Sequence, residues 1–248
     1  MKSPREKLYR PIAIAGTDPT GAAGISIDIT SFNHFGLQPA IAISAINAQH
    51  SQKVSHIELT SPKLLKLQLE SSLAEYNITV IKIGMVGSRA NANIIAEFIQ
   101  HTKATAILDP VIKSSSGYYL GEEDIDKAIK EYLLPYVNLI TPNLNELAIL
   151  SNSPIADCND TAIAQAKLLK NNVLIKGGHS SSYDSQATDI LYTKENKLHY
   201  FTSTRINKQK RGTGCALSSA IAANLHKGKD LVSSIQIAKD YINQYIIT

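Results

Sequence analysis

The segment Gly212-Thr213-Gly214-Cys215 places two glycines and a thiol directly before an apolar helical pattern that ends at Gly228. Backbone amides at the start of a helix point away from it and carry partial positive charge, so they bind a phosphate or another oxyanion. The same position favours the thiolate of Cys215, which could then take a proton or orient a hydroxyl group. A cysteine that only fills core space is the commoner case, but the glycine pair favours the anion site.

Two later turns carry charged and amide side chains. Asn143 and Glu146 have the spacing of a capping box, which would satisfy the free amides of a helix start. Their oxygens would equally suit the water shell of Mg²⁺. Lys176 ends an apolar strand and is followed by two glycines and His179. A cation at the end of a buried strand needs an anion, either a nucleotide phosphate or the carboxylate of Glu146 or Asp109.

Two earlier turns suggest a ligand pocket. The stretch AGTDPTGAAG contains Gly16, Gly21 and Gly24 between a strand and a helix, where glycine lets a ligand approach the backbone. Its spacing excludes a dinucleotide fingerprint, and the absence of a suitably placed lysine excludes a Walker A loop. In the stretch AQHS, Gln49 offers a donor and an acceptor that match the edge of an aminopyrimidine, although most such glutamines face solvent.

Short apolar strands and amphipathic helices alternate along the chain. Strands are predicted over residues 11–16, 40–46, 79–84, 105–110, 138–142 and 173–178, and helices from near residue 22 and over 61–76, 91–102, 122–137 and 160–172. This order predicts an α/β fold, with a mostly parallel central sheet and helices on both faces. Residues 188–193 and 197–206 predict an antiparallel pair at one edge. Ligands in such folds bind beyond the carboxyl ends of the strands, where these turns lie.

Composition indicates a single globular domain spanning residues 1–248. Hydrophobic residues make up 44% and charged residues 19%, with 25 Lys and Arg against 21 Asp and Glu, which excludes disordered and fibrous classes and gives no reason to expect nucleic acid. Two cysteines form no disulfide framework. The N-terminal apolar run is too short for a signal peptide or a membrane span, so we expect a cytoplasmic protein without a membrane partner.

The five turns occur in the order AGTDPTGAAG, AQHS, TPNLNE, KGGH and GTGC. This series resembles the hydroxymethylpyrimidine/phosphomethylpyrimidine kinases of the ribokinase-like superfamily, over nearly the whole chain. The resemblance implies Mg²⁺ and ATP, and phosphorylation of 4-amino-5-hydroxymethyl-2-methylpyrimidine and then of its monophosphate in thiamine biosynthesis. The GTGC motif is the most specific, because the sugar kinases carry aspartate at the position of Cys215.

The resemblance also implies roles for individual residues. The anion hole would comprise Gly212, Thr213, Gly214 and Cys215; the aminopyrimidine pocket Gln49, Gly16, Met85 and Ile112, with Asp28 nearby; the ATP side Lys176, His179 and Asn143; and the Mg²⁺ site Glu146 and Asn143, through water. Lys208 and Arg211 replace residues that the family usually has, and we expect them to add cations on the ATP side.

Three departures leave alternatives open. The residues before the anion hole read NKQKR where the family usually has N-T-x-x-T-H, and the loop at Ser115 and Tyr118 lacks the usual lysine and aspartate. These changes leave open whether both phosphorylation steps occur. One alternative is a pyridoxal or pyridoxine kinase of the same fold, against which Gln49 and Thr213 argue, and another is a pyrimidine-binding relative without catalysis. Relatives are often dimers, so a homodimer is a further expectation.

Overall fold

The computed structural model describes residues 6–113, 117–177 and 185–247. Within these ranges nine strands form one sheet in the order β3-β2-β1-β4-β5-β6-β7-β8-β9. The strands are β1 (Leu8–Gly16), β2 (Ala40–His50), β3 (Lys53–Leu59), β4 (Tyr76–Ile83), β5 (Thr105–Leu108), β6 (Leu139–Ile140), β7 (Asn172–Ile175), β8 (Gln186–Tyr192) and β9 (Leu198–Thr204).

The helices lie between these strands and after the last of them. They are α1 (Gly24–His34), α2 (Pro62–Glu75), α3 (Arg89–Thr102), α4 (Ile125–Ala128) with a π-helical turn (Ile129–Leu133), α5 (Leu144–Ser151), α6 (Asn159–Leu168), α7 (Thr213–His226) and α8 (Leu231–Ile247). In the part of the chain that the structure describes, none of them combines the length and apolar character needed to cross a membrane.

The sheet is parallel from β2 to β7 and antiparallel at both edges. The pairs β1–β2, β1–β4, β4–β5, β5–β6 and β6–β7 are parallel, whereas β7–β8 and β8–β9 are antiparallel as the sequence predicts. Strand β3 forms a second antiparallel edge with β2, which the prediction of one such edge missed. Its residues are mostly exposed or half-buried, so it lacks the apolar run that marked the other strands.

Both faces of the sheet are covered, which confirms the predicted α/β class. Along β1, Ile12 and Ile14 join a hydrophobic cluster with α2 to α6, while Ala13 and Ala15 join a second cluster with α1, α7 and α8. Strands buried on both faces read as continuous apolar runs, and this is why their positions could be found from the sequence.

The parallel pairing brings several turns together at one edge of the sheet. Strands β1, β4, β5, β6 and β7 end at Gly16, Ile83, Leu108, Ile140 and Ile175. Because parallel strands end on the same side, the residues after these positions lie beside one another. The start of α7 reaches the same edge, as its contacts below demonstrate.

Candidate active site

Two close backbone approaches join the first glycine turn to the start of α7. A β-carbon on Gly24 would clash with the carbonyl oxygen of Gly16, and one on Gly212 would clash with the carbonyl oxygen of Ala22. Gly212 also has a left-handed φ of 77°, which side chains other than glycine rarely adopt. The turn after β1 and the turn before α7 therefore pack against each other through backbone atoms.

The first turn of α7 begins without a side-chain cap. Gly212 is its N-cap residue and makes no side-chain hydrogen bond to the helix. The amide of Ala216 is bonded to the Gly212 carbonyl at 2.8 Å, so the amides of residues 213–215 precede the first intrahelical bond. These are the amides for which the sequence predicts an anion hole.

Lys176 and Asp109 lie directly opposite this turn. The Lys176 Nζ donates to Asp109 Oδ1 at 2.8 Å and lies 3.7 Å from Glu146 Oε2. A β-carbon at Gly214 would lie 3.3 Å from Lys176 Nζ and 3.5 Å from Asp109 Oδ2. The structure thus joins the anion hole to the predicted nucleotide-side lysine, and both carboxylates left open by the sequence contact that lysine.

Burial and ion pairing set the charges of this cluster. Burial alone would lower the pKa of Lys176, but Asp109 and Glu146 raise it above its ordinary value. Burial would raise the pKa of Asp109, but Lys176, Lys82 and the Thr141 hydroxyl hold it below its usual range. Burial raises the pKa of Glu146 more than Lys176 lowers it. Lys176 is therefore a permanent cation facing the first turn of α7.

Asn143 and Glu146 form the predicted capping box at the start of α5. Asn143 Oδ1 accepts from the Glu146 amide at 2.9 Å, and Glu146 Oε2 accepts from the Asn143 amide at 2.8 Å. Within the described residues no group of three or more His, Cys, Asp or Glu side chains could enclose a metal ion. The expectation that Glu146 and Asn143 hold Mg²⁺ through water stays a prediction.

Cys215 is half-buried as a residue and lies near a buried group of charges. Burial raises the pKa of its thiol to about 11, with Asp28 and Asp109 adding to the effect and Lys82 and a hydrogen bond from Gly24 opposing it. The expectation of a favoured thiolate is therefore wrong, because desolvation and two nearby carboxylates favour the neutral thiol.

A buried ion pair that the sequence reading missed lies close to this thiol. Lys82 Nζ contacts Asp28 Oδ1 at 2.7 Å, and both side chains have 0% exposure. The Ser219 hydroxyl of α7 donates to the same carboxylate oxygen at 2.8 Å. Burial would lower the pKa of Lys82, but Asp28, Cys215 and Asp109 raise it. A permanent cation thus lies behind the thiol, linked to α1 and α7.

The structure brings together some of the residues predicted for the aminopyrimidine pocket. Gly16 and Met85 are adjacent, since a β-carbon on Gly16 would lie 2.7 Å from the Met85 sulfur. Gln49 is half-buried near the end of β2, and no hydrogen bond of its side chain is found in the described residues. Asp28 and Ile112 have no exposed surface, so these two lie behind the pocket wall and do not line it.

Asn47 lies against Gly16 and Met85 and was not predicted. Its Nδ2 donates to the Thr17 carbonyl at 2.9 Å and lies 3.5 Å from the Met85 sulfur. Its Oδ1 is buried without a hydrogen-bond partner in the described part of the chain. The signal was present in the motif INAQHS, because Asn47 lies two residues before Gln49 on the same strand.

The basic run before the anion hole has a role different from the predicted one. Lys208 Nζ donates to the Ile247 carbonyl at 2.9 Å and Lys210 Nζ to the Tyr245 carbonyl at 2.7 Å, both at the end of α8. Helix ends attract cations because their last carbonyls are unsatisfied. Lys208 therefore has a partner at the end of α8, which argues against its predicted contact with ATP.

Arg211 is directed to the first glycine turn. Its guanidinium contacts Asp18 Oδ2 at 2.9 Å and Thr20 Oγ1 at 3.2 Å. The Asp18 side chain has 0% exposure, so this ion pair offsets the cost of burying a carboxylate. This partner argues against the predicted contact of Arg211 with ATP. His179 and Ser115, also named from the sequence, lie outside the described residues.

Other residues near the start of α7 were not predicted, although the sequence contains simple signals for them. Lys82 is the one charge within the apolar run TVIKIG, and a charge in a buried strand requires a partner. Asp109 comes directly after β5, at the edge of the sheet where ligands bind. Ser218 and Ser219 follow Cys215 within an apolar helix and contact Asp109 and Asp28 respectively. Only spatial contacts identify these groups as one cluster.

An uncapped helix start beside a buried ammonium group, at the carboxyl edge of a parallel sheet, is a site for a transferable phosphate. The class defined by this fold and site is that of small-molecule kinases with an α/β fold.

Comparison with known proteins gives the family. The family model described as phosphomethylpyrimidine kinase matches residues 18–248, and the chain belongs to this family. It is 36% identical over 239 residues to the hydroxymethylpyrimidine/phosphomethylpyrimidine kinase of Aquifex aeolicus, covering 95% of this chain and 93% of that protein. The Escherichia coli kinase of the same name is 33% identical, with 96% and 90% covered.

Solved structures agree with the fold. A phosphomethylpyrimidine kinase from Clostridium difficile superposes with a TM-score of 0.82 at 31% identity, covering 97% of this chain and 100% of that one. An ADP complex of Bacillus subtilis pyridoxal kinase superposes with a TM-score of 0.85 at 26% identity, covering 96% and 91%.

The close approach at Gly212 generates a first prediction. Gly212→Ala should lower kcat by roughly a hundredfold or more, because the added carbon forces the donors of the anion hole away from Ala22. Gly228→Ala is the matched control, since Gly228 has a similar φ of 79° at the other end of α7 but open space around it. Both variants should lose stability in thermal melts. Equal kcat values for the two would contradict the assigned anion hole.

The raised pKa of Cys215 generates a second prediction. In a Cys158→Ser background, the rate of Cys215 alkylation by iodoacetamide should rise with pH up to at least pH 10 without reaching a plateau, because a pKa of about 11 leaves little thiolate below that pH. Mass spectrometry of the modified protein gives the rate. A plateau of the alkylation rate below pH 9 would contradict the raised pKa and support the thiolate expected from the helix start.

The contacts of Lys208 generate a third prediction. Lys208→Met should leave the KM for ATP within about twofold and lower the free energy of unfolding by ~0.5 kcal/mol, as expected for a lost helix-end interaction. Lys176→Met should lower kcat/KM for ATP by roughly a hundredfold or more. Steady-state kinetics and denaturant titration measure both. A rise in the KM for ATP in both variants would support the predicted contact of Lys208 with ATP.

Proposed function

We propose that this kinase transfers the γ-phosphoryl group of ATP to the hydroxymethyl oxygen of 4-amino-5-hydroxymethyl-2-methylpyrimidine, and then a second one to the resulting monophosphate. The observation that carries this proposal is the contact between the uncapped first turn of α7 and the Lys176–Asp109 pair. The relatives from Aquifex aeolicus and Escherichia coli, which are 36% and 33% identical, are named as kinases of both the hydroxymethylpyrimidine and the phosphomethylpyrimidine. We infer ATP as co-substrate and thiamine biosynthesis as the pathway on the same basis.

The first turn of α7 and Lys176 would stabilise the transferred group. In a loose transition state negative charge spreads over the three equatorial oxygens of the phosphoryl group, and the protein contributes mainly alignment and electrostatic stabilisation. Amides of residues 213–215 and the Lys176 ammonium supply donors that are already in position before the reaction. Rigid anchoring of Gly212 against Ala22 keeps these donors in place.

Cys215 would orient the acceptor alcohol as a neutral thiol. Because the pKa of this thiol is raised to about 11, it cannot serve as a general base near neutral pH. A primary alcohol loses its proton late in a loose transition state, so no strong base is needed. The charge of Lys82 behind the thiol stabilises negative charge that develops on the acceptor oxygen.

Glu146 and Asn143 would hold Mg²⁺ through water, and the bound ion would neutralise part of the negative charge of the phosphates. Glu146 keeps one carboxylate oxygen on the Asn143 amide, and Lys176 lies 3.7 Å from the same oxygen. The other oxygen of this carboxylate is then left to bind water around the ion, which keeps several water ligands in such sites.

Gln49 would recognise the amino edge of the pyrimidine. Its half-buried amide offers one donor and one acceptor two residues after Asn47 on the same strand, and Asn47 contacts Met85. Gly16 brings its backbone close to the pocket because it has no β-carbon to contact Met85. The single domain, the cytoplasmic location and a homodimer stay predictions.

A second candidate is the phosphorylation of pyridoxal. The observation in its favour is the structural likeness to the pyridoxal kinase of Bacillus subtilis, with a TM-score of 0.85. Sequence identity to that protein is 26%, below the 36% to the Aquifex aeolicus pyrimidine kinase. The pyrimidine alcohol is therefore the first choice, and pyridoxal is the competing substrate to assay.

Incubation with ATP, Mg²⁺ and the pyrimidine alcohol tests this proposal. Mass analysis should detect the monophosphate first and then the diphosphate, with a kcat/KM above that for pyridoxal. Gln49→Ala should raise the KM for the alcohol about tenfold or more, because the ring loses hydrogen bonds worth about 1 kcal/mol each. Its KM for ATP should not change.

Gln52→Ala is the control for that variant, since Gln52 is exposed beyond the end of the same strand. Absence of both products would refute the proposed function. Product formation that stops at the monophosphate would limit it to the first step, and ligand-induced thermal stabilisation without ATP consumption would indicate a binding protein.

A further inference from the structure

A further buried ion pair lies between β8 and α8, behind the turn that carries Lys176. Lys239 Nζ of α8 contacts Asp189 Oδ2 of β8 at 2.7 Å, and each side chain has 7% exposure. The other oxygen of this carboxylate, Oδ1, accepts a hydrogen bond from the Gly177 amide at 2.9 Å. Asp189 therefore links a distant helix to the residue that follows Lys176.

The backbone of the Lys176–Gly177 turn is held from two sides. The Lys176 amide donates to the Pro142 carbonyl at 3.0 Å on the β6 side. On the β8 side the Gly177 amide donates to Asp189, and Gly177 has no room for a β-carbon because the Thr188 carbonyl is in the way. The position of the Lys176 ammonium relative to Gly214 depends on both contacts.

Stability alone does not account for the Lys239–Asp189 pair. Replacing a buried ion pair with uncharged residues of similar volume is often neutral or stabilising. A charged acceptor does, however, hold a backbone amide more strongly than a neutral one. Helix α8 also contacts the other side of the site, because the Tyr245 hydroxyl donates to the Arg211 carbonyl at 3.2 Å, directly before Gly212.

We propose that Lys239, acting through Asp189, is a positioning residue that fixes the Lys176–Gly177 turn for the phosphates of ATP. Neither side chain touches the substrate. Lys239 balances the Asp189 charge, Asp189 holds the Gly177 amide, and the turn aims Lys176 at the first turn of α7. This inference rests on the proposed use of ATP.

Kinetics of the full chain test the proposal. Lys239→Met should lower kcat/KM for ATP by about tenfold or more, because a small displacement of a positioning group is costly, while the KM for the pyrimidine alcohol stays within about twofold. Lys130→Met is a control, since it removes a cation that contacts Asp126 and Asn152 on a different face of the protein. This control should change neither KM.

Two double variants isolate the single hydrogen bond. Lys239→Met with Asp189→Asn removes both charges and keeps a side-chain oxygen for the Gly177 amide, so kcat/KM for ATP should return to within about threefold of wild type. Lys239→Met with Asp189→Ala removes that oxygen and should keep the full defect. Both pairs are uncharged, so the comparison stands even where Lys239→Met alone fails to fold.

Binding of ATP without pyrimidine, measured by calorimetry, separates this proposal from the proposed function. If the two double variants bind ATP equally well, or if all variants lose only thermal stability, the positioning role is refuted. If wild type binds ATP but yields no phosphorylated pyrimidine, the proposed function fails while the comparison of ATP affinities still decides the role of Lys239.

Discussion

Two ammonium groups held under the first turn of α7 are the constraint on which the site depends. Lys82 and Lys176 lie within strongly buried surroundings, and each is neutralised by a carboxylate at 2.7–2.8 Å, from Asp28 and Asp109 respectively. A buried charge without a partner is too costly to persist, so the elements that supply these groups must meet in one place. The ion pairs thus couple α1, β4, β5 and β7 to the first turn of α7, and they hold two ammonium groups beside it.

The close backbone contacts provide the second half of this arrangement. Gly24 lies so close to the Gly16 carbonyl, and Gly212 so close to the Ala22 carbonyl, that neither glycine has room for a β-carbon. They bring the turn after β1 within reach of α7, so the acceptor pocket and the anion hole share a wall. A transferable group must lie between the two substrates, and preorganised walls remove much of the entropic cost of aligning them.

Much of the fold could be predicted because its signals are local. Strands such as β1 and β4 are buried on both faces and therefore read as apolar runs, and the order of strands and helices predicts a parallel sheet. The glycine turn before α7 and the box of Asn143 and Glu146 also depend on neighbours within a few residues, and the structure contains both.

The features that were missed depend on distant neighbours. Strand β3 has little buried surface of its own and is defined by pairing with β2. The pKa of Cys215 depends on Lys82, Asp28 and Asp109, which come from three other elements, so the local helix start gave the wrong direction. Lys208 and Arg211 looked like phosphate ligands because of their charge, but their partners at the end of α8 and in the first turn are far away in sequence.

The basic run before α7 anchors the loop that carries it. Lys208 and Lys210 bind the terminal carbonyls of α8, and Arg211 binds Asp18 beside the first glycine turn. Gly212 follows immediately, with its amide and φ set by the same loop. Cations in this run therefore fix the helix start from outside, while Lys176 supplies charge from inside. Substitution of the family's usual threonines and histidine is compatible with phosphoryl transfer for this reason, since the amides that face the phosphate belong to the backbone and not to the side chains that changed.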